Sequence, residues 1–132
     1  MSKKEILIVE DEETLLKLES VLLSARGYKV KGVGDGRAAL DSVAHKKPDL
    51  VLLDIMLPEV DGFEVCRQIK ENEETRHIPV IMLTAKKSSD DIARGERAGA
   101  DWYMTKPFKS AMLVETVQRF LAGPLKPTFC NS

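Results

Sequence analysis

Five polar side chains follow apolar segments of the chain, each at the point where a segment ends. They are three carboxylates, one hydroxyl and one ammonium group: Glu10, Asp11, Asp54, Thr84 and Lys106. Clustered carboxylates repel one another unless a positive charge lies among them, and a divalent cation is the simplest such charge. Oxygen ligands without Cys or His favour Mg²⁺ or Mn²⁺ over zinc. A carboxylate beside such a cation, with a lysine and a hydroxyl nearby, could attack phosphorus and form an acyl phosphate.

The segments before these residues have the length and composition of β-strands. Five strands are predicted, at residues 5–9, 28–33, 50–53, 79–84 and 102–105. The first, EILIV, is short, apolar and rich in β-branched residues, which is typical of a strand buried on both faces. Asp54 directly follows the most apolar strand, whose interior would reject a carboxylate.

Five helices are predicted between and after the strands, because apolar residues recur there at helical spacing. The first two cover residues 12–26 and 37–46. Ser88 and Asp91 have the spacing of a capping box that opens the fourth, which Gly95 should weaken by roughly 1 kcal/mol relative to alanine. The apolar positions are Leu15, Leu18, Leu22 and Ala25 in the first helix, Phe63, Cys66 and Ile69 in the third, and, after Ser110, Leu113, Val117, Phe120 and Leu121 in the fifth.

This alternation of strands and helices predicts a doubly wound α/β fold with a parallel sheet and helices on both faces. In an open parallel sheet, the functional crevice lies beyond the carboxyl ends of the strands. The five polar residues all follow strands, so we expect them to converge at one edge of the sheet.

Composition predicts one globular domain. The chain has 132 residues, of which 43% are hydrophobic and 31% charged, with a net charge of -1. This balance gives no global field that would attract nucleic acid or an anionic membrane. No apolar stretch reaches the ~18 residues of a spanning helix, and the first residues lack the features of a secretion signal, so a cytoplasmic location is expected. Of two cysteines, Cys66 is expected in the core and Cys130 in a tail.

Each candidate also has a purely structural interpretation. Acids near Glu10 would stabilise the first turn of a helix, and Asp54 could cap a turn. Thr84 is β-branched within a strand, and Lys106 could be a solvated loop residue. The occurrence of all five at strand ends favours a shared site over these separate explanations.

The chain resembles the receiver domain of two-component response regulators, including the chemotaxis type, over residues 4–121. The resemblance rests on four motifs in order, VEDEE, LLDIMLPEVDG, IMLTA and GADWYMTKPF. It implies a five-stranded, five-helix (βα)5 flavodoxin-like fold, with residues 1–122 as the receiver domain and 123–132 as a tail or truncated linker. It also implies that the domain accepts a phosphoryl group from a sensor histidine kinase, catalysing only its own phosphorylation and dephosphorylation.

The resemblance assigns roles to individual residues. Asp54 would be the phosphoacceptor, Mg²⁺ or Mn²⁺ would be held by Glu10, Asp11, Asp54 and the backbone carbonyl of Met56, and the phosphoryl group would be bound by Thr84, the Ala85 backbone and Lys106. Thr84 and Tyr103 would form the switch, and the Lys106–Pro107 peptide would be cis. Phosphorylation would change the face of helix four, strand five and helix five, and so control a downstream protein or output domain or drive homodimerisation, without direct nucleic-acid binding or membrane insertion.

Other interpretations remain open. One alternative is an aspartyl-phosphate hydrolase, but these enzymes have a second acid two residues after the nucleophile, where this chain has Met56. A second is a nucleotide-binding fold, but no GxGxxG or GxxxxGK(S/T) motif follows the first strand. A receiver-like module that is never phosphorylated is a third alternative, and the domain could stand alone or belong to a longer protein.

Three further side-chain hypotheses concern the surface near this site. Trp102 could lie on the output face or pack in the core, and Lys86 could protect the phosphoryl group or be solvated. A dimer contact could also involve a set of basic residues, though a solvated helix face is the simpler explanation: Lys86, Lys87, Arg94 and Arg97.

Overall fold

A computed structural model describes residues 3–122 and contains five strands that alternate with five helices. The predicted tail at 123–132, with Cys130, lies outside the described residues. In chain order the elements are β1 (Glu5–Val9), α1 (Glu13–Ser24), β2 (Lys29–Val33), α2 (Gly36–His45), β3 (Leu50–Leu53), α3 (Gly62–Glu71), β4 (Val80–Thr84), α4 (Ser89–Arg97), β5 (Trp102–Thr105) and α5 (Ser110–Leu121). No helix in this part of the chain combines the length and apolarity needed to cross a membrane.

All the strands run parallel in one sheet of order β2-β1-β3-β4-β5. Strand β1 therefore lies next to the central strand β3, β2 forms one edge of the sheet, and β3, β4 and β5 extend from β1 to the other edge. One apolar cluster lies between the sheet and helices α2 and α3, and a second lies between the sheet and helices α1 and α5. The predicted doubly wound α/β fold is confirmed.

The sheet is most buried in its centre. Strands β3 and β4 are buried at every position, and β1 is buried from Ile6 onward. The outer strand β2, by contrast, has mostly exposed residues. Cys66 packs fully buried in the cluster under α3, as predicted.

Helix α1 faces the core differently from the sequence prediction. Leu18, predicted to lie on the apolar face, is 43% exposed, and Ala25 is exposed as well. The buried side instead runs through Leu16, Glu19 and Leu23, which are spaced as i, i+3 and i+7. Leu22 packs against the cluster as predicted, but the prediction was wrong for Leu18 and Ala25, because the helix carries two adjacent leucine stripes and the more buried one includes an acid.

Candidate functional site

The carboxyl ends of β1, β3, β4 and β5 bring the five predicted polar residues to one edge of the sheet. Oxygen atoms of Glu10, Asp11 and Asp54 lie within 4.8 Å of one another. Glu10 and Asp54 are buried, at 3% and 6% exposure, whereas Asp11 is exposed. The cluster therefore has two carboxylates held in the protein and one that faces solvent.

Lys106 lies between the two buried acids. Its Nζ atom donates to Glu10 Oε1 at 2.6 Å and to Asp54 Oδ2 at 3.0 Å. The peptide from Lys106 to Pro107 is cis. Burial acts to lower the pKa of Lys106, but the hydrogen bonds to Glu10 and Asp54 outweigh it and raise that pKa. Part of the positive charge that clustered carboxylates require is thus supplied by the protein itself.

Backbone contacts fix the position of Asp54. Its N–H donates to Val9 O at 3.0 Å, and its side-chain Oδ1 accepts from Met56 N–H at 3.2 Å. A Cβ atom at Gly62 would lie 2.3 Å from the carbonyl oxygen of Asp54, so only glycine lets α3 begin this close to the end of β3. Asp54, which follows the most apolar strand, is therefore fixed by its hydrogen bonds with Val9 and Met56 and by the close approach of α3.

Glu10 is also constrained. Its Oε2 atom accepts from Glu12 N–H at 3.2 Å, while Oε1 binds Lys106. Burial raises the pKa of Glu10 above its usual value, and the hydrogen bond from Lys106 opposes that rise. A cation bound at the cluster would favour the ionised form further.

The donor set fits a hard divalent cation. Mg²⁺ commonly takes one or two protein carboxylates and completes its shell with water and phosphate oxygens. Glu10, Asp11 and Asp54 supply oxygen atoms close enough to share one ion, and the exposure of Asp11 leaves one side open to water. Met56 lies beside them with an exposed side chain, and the metal-binding role of its carbonyl stays a prediction.

Thr84 and Tyr103 both bind the backbone of Lys86. Fully buried Thr84 accepts from Lys86 N–H through Oγ1 at 3.3 Å, and the Tyr103 hydroxyl donates to Lys86 O at 2.6 Å. Burial, followed by the charges of Asp91 and Asp54, raises the pKa of Tyr103 to about 12, so its phenol stays protonated. The backbone of Lys86, just after β4, thus links Thr84 and Tyr103, the two residues of the predicted switch.

Gly95 explains how α4 accommodates the Tyr103 ring. A Cβ atom at this position would lie 2.9 Å from Cδ2 of Tyr103 and 3.1 Å from Sδ of Met82. Ser88 caps the same helix as predicted, accepting from Asp91 N–H at 3.1 Å. The glycine that appeared only to weaken α4 therefore makes room for Tyr103.

The rim of the site contains a contact that sequence analysis missed. Arg94 of α4 places its Cζ atom 4.2 Å from the centroid of the Phe63 ring of α3. The two residues line a surface cavity of about 450 Å³ together with Lys86 and Asp11. Ala85, predicted to bind the phosphoryl group through its backbone, is exposed beside Thr84. Arg94 therefore has a cation–π partner and is not simply part of a solvated face.

Trp102 is half-buried on β5. Its ring contacts Phe120 of α5 edge to face, with centroids 6.2 Å apart. The geometry supports the packing interpretation, and a role for Trp102 in partner binding stays a prediction.

Glu19 is a second residue that the sequence analysis missed. It is 1% exposed, and its Oε2 atom has no hydrogen-bond partner within residues 3–122. Burial, followed by the negative charge of Glu10, raises its pKa to about 8. The sequence signal for its burial was the spacing from Leu16 to Glu19 to Leu23, which places all three on one face of the helix.

The known proteins that resemble this chain in sequence or structure include response regulators and receiver domains. A family model described as the response regulator receiver domain matches residues 6–118. The chain is 41% identical over 118 residues to the polar-differentiation response regulator DivK of Brucella anthropi, covering 89% of this chain and 96% of that protein. A receiver domain of a histidine kinase from Syntrophus aciditrophicus has a TM-score of 0.85 and 39% identity, with 90% of each chain covered. The receiver domain of a Pseudomonas aeruginosa sensor histidine kinase, solved with magnesium in its active-site cleft, has a TM-score of 0.85 and 35% identity, covering 92% of this chain and 100% of that one.

Proposed function

Because this chain belongs to the response regulator receiver domain family, we propose that Asp54 is the residue on which it accepts its phosphoryl group. The chain is a phosphoacceptor of two-component signalling. One observation supports the assignment to Asp54: it follows β3, the central and fully buried strand, and its carboxylate lies 3.0 Å from the ammonium of Lys106 and within 4.8 Å of both Glu10 and Asp11. Glu10 and Asp11, with Asp54 and the Met56 carbonyl, are the ligands we propose for Mg²⁺, with Mn²⁺ as a substitute.

The proposed transfer moves a phosphoryl group from a phosphohistidine nitrogen to a carboxylate oxygen of Asp54. The N–P bond breaks, its electron pair stays on the imidazole nitrogen, and an O–P bond forms to give an acyl phosphate. Bound Mg²⁺ would neutralise charge that develops on the phosphoryl oxygens. Lys106, already bonded to Asp54, is positioned to pair with a phosphoryl oxygen, and the Thr84 hydroxyl and Ala85 N–H are proposed as further donors. The domain would catalyse this step and the later hydrolysis without acting on any other substrate.

The proposed switch starts at Thr84. A phosphoryl group adds about -1.5 to -2 charges and would attract the Thr84 hydroxyl. That movement would break its 3.3 Å hydrogen bond with Lys86 N–H, and the Lys86 carbonyl also holds Tyr103. The change would therefore reach α4 and β5 and shift the population of an existing second state.

The partners follow from the family. Two-component signalling requires a phosphodonor and a target, so the chain acts with a phosphodonor and an output partner. We propose a sensor histidine kinase or a phosphotransfer protein as the donor, and a downstream protein, an output domain or a second copy at the face of α4, β5 and α5. The cytoplasmic location, and the assignment of residues 1–122 as receiver and 123–132 as tail or linker, are part of the same proposal.

Intact mass spectrometry tests the assignment. The protein is incubated with Mg²⁺ and acetyl phosphate, beside Asp54→Asn and a sample with EDTA. Asp61→Asn is the matched control, since Asp61 caps α3 near the site and asparagine is an equally good N-cap. One phosphoryl adduct is expected on the native chain and on Asp61→Asn, and none on Asp54→Asn or with EDTA. An adduct that persists in Asp54→Asn, or no adduct although Mg²⁺ binds, would contradict the proposal.

A further inference from the structure

A second cavity lies at the opposite edge of the sheet, where the strands begin. It measures about 230 Å³ and opens between the outer strand β2 and the end of helix α2. Its lining combines apolar and polar side chains: Glu5, Leu7, Lys29, Val30, Lys31, Ser42, His45, Lys46 and Pro48. None of these residues takes part in the proposed phosphorylation.

The cavity has an excess of positive charge. Lys29 and Lys31 are two residues apart on β2, so both side chains project from the same face of the strand. Lys46 pairs with Glu5 at 3.2 Å, and Glu5 is the only acid in the lining. Neither Lys29 nor Lys31 forms an ion pair with any residue that the structure describes. Two exposed lysines that line the cavity thus have no ion-pair partner among the described residues.

The surroundings extend this basic character. Lys4 lies next to β2, since its carbonyl accepts from Lys29 N–H at 2.9 Å, and Lys47 follows Lys46 at the end of α2. The whole chain nevertheless has a net charge of -1. Positive charge is therefore concentrated at this edge, far from the acidic phosphorylation site, and would raise the local concentration of anions.

The cavity also offers uncharged groups for a ligand. Pro48, which is partly exposed, provides apolar surface, Leu7 behind it is only 2% exposed, and Ser42, at 8% exposure, provides a hydroxyl on the α2 side. Lysines on an outer strand commonly prevent pairing with another chain's edge strand. That role would explain Lys29 and Lys31, but it does not require a concave apolar surface with a hydroxyl beside them.

We propose that this cavity binds a small organic anion, with a phosphate group between Lys29 and Lys31 and an apolar body against Pro48. A volume of 230 Å³ suits a small phosphomonoester and leaves no room for a large cofactor. The Ser42 hydroxyl donates to the anion. The proposal is independent of phosphorylation at Asp54, because no residue belongs to both sites.

The test is a titration of ¹⁵N-labelled protein with phenyl phosphate, followed by amide chemical shifts in EDTA so that the acidic site holds no metal. Saturable shifts are expected at Lys29, Lys31 and Ser42. Lys31→Ala should weaken binding about fivefold, the factor that corresponds to the ~1 kcal/mol of an exposed ion pair. Lys47→Ala is the matched control, since it removes the same charge beside the cavity but outside its lining.

A parallel titration with inorganic phosphate distinguishes a specific binding site from general electrostatic attraction of anions. Weaker binding of inorganic phosphate than of phenyl phosphate is expected, because free phosphate has no apolar part to contact Pro48. Equal binding of the two, equal weakening in Lys31→Ala and Lys47→Ala, or no saturable shift at these residues would overturn the proposal. If Lys31→Ala changes self-association and leaves phenyl phosphate binding intact, the lysines protect the strand edge and the proposal is wrong.

Discussion

Glu19 should make the stability of the domain depend strongly on pH. The side chain is 1% exposed, lies on the same face of α1 as Leu23 of the apolar cluster, and has an oxygen without a partner among residues 3–122. Its pKa is raised from 4.5 to about 8, so it is mainly protonated in the folded state at neutral pH. In the unfolded chain it ionises near its ordinary pKa. Folding must therefore bind a proton, and stability is lost as pH rises from about 4.5 to about 8.

The magnitude follows from this difference in pKa. Each unit of pKa difference corresponds to about 1.4 kcal/mol. Relative to a side chain that does not titrate, Glu19 should lower the free energy of unfolding by about 1 kcal/mol at pH 5, about 3 kcal/mol at pH 7 and about 4 kcal/mol at pH 8. Natural domains have only about 5–15 kcal/mol in total, so the effect at pH 8 is large.

Glu19→Gln tests this expectation, because it keeps the shape and removes the titration. Urea unfolding of both proteins, followed by circular dichroism at pH 5, 6, 7 and 8, should show the variant gaining on the native chain by about 1 kcal/mol per pH unit. Glu73→Gln is the control, since Glu73 is exposed, and its difference from the native chain should stay flat. A difference between Glu19→Gln and the native chain that does not change with pH would refute the reasoning, because Glu19 would then be ionised or solvated in the folded state.

Two further predictions concern packing and charge at and near the acidic cluster. Gly95→Ala should lower the free energy of unfolding, measured in urea, by about 1–2 kcal/mol. The added methyl group gains about 1 kcal/mol of helix propensity, but its strain against Tyr103 and Met82 costs more than that. A variant more stable than the native chain would contradict this expectation. Lys106→Ala should destabilise the metal-free protein by about 3 kcal/mol at pH 7, because Glu10 and Asp54 lose their shared cation. Mg²⁺ should raise the melting temperature of Lys106→Ala more than that of the native chain, and an equal rise would contradict this role for Lys106.

The fold was predictable because its signals are local. Strands β1, β3 and β5 lie at the predicted residues, since short apolar segments ending in polar residues can be read without knowledge of distant contacts. The face of α1 was not predictable in the same way. Leucines at 15, 16, 22 and 23 give two stripes of similar apolarity, and the choice between them depends on contacts with α5 and the sheet. The stripe that is more buried contains the acid Glu19, so by apolarity alone it is the less expected of the two to face the core.

The site was predictable as a set of residues and not as a set of contacts. Parallel strands end at one edge of a sheet, so Glu10, Asp54 and Lys106 could be brought together from sequence order alone. The ion pair of Lys106 with Glu10 joins residues 96 positions apart, and the sequence contains nothing that specifies which carboxylate the ammonium will contact. The stacking of Arg94 on Phe63 likewise depends on how α4 packs beside α3.

The charges of the buried groups would make the proposed phosphorylation of Asp54 require an additional cation. In the metal-free site, one ammonium at Lys106 faces two buried carboxylates, Glu10 and Asp54, and Asp11 adds a third acid at the surface. Glu19 adds no charge near neutral pH, because burial and the Glu10 charge keep it protonated. A phosphoryl group would replace the single charge of Asp54 with about two, so Lys106 alone would face a larger excess of negative charge. A divalent cation bound at the three acids compensates for that excess, and this requirement would make phosphorylation dependent on the metal.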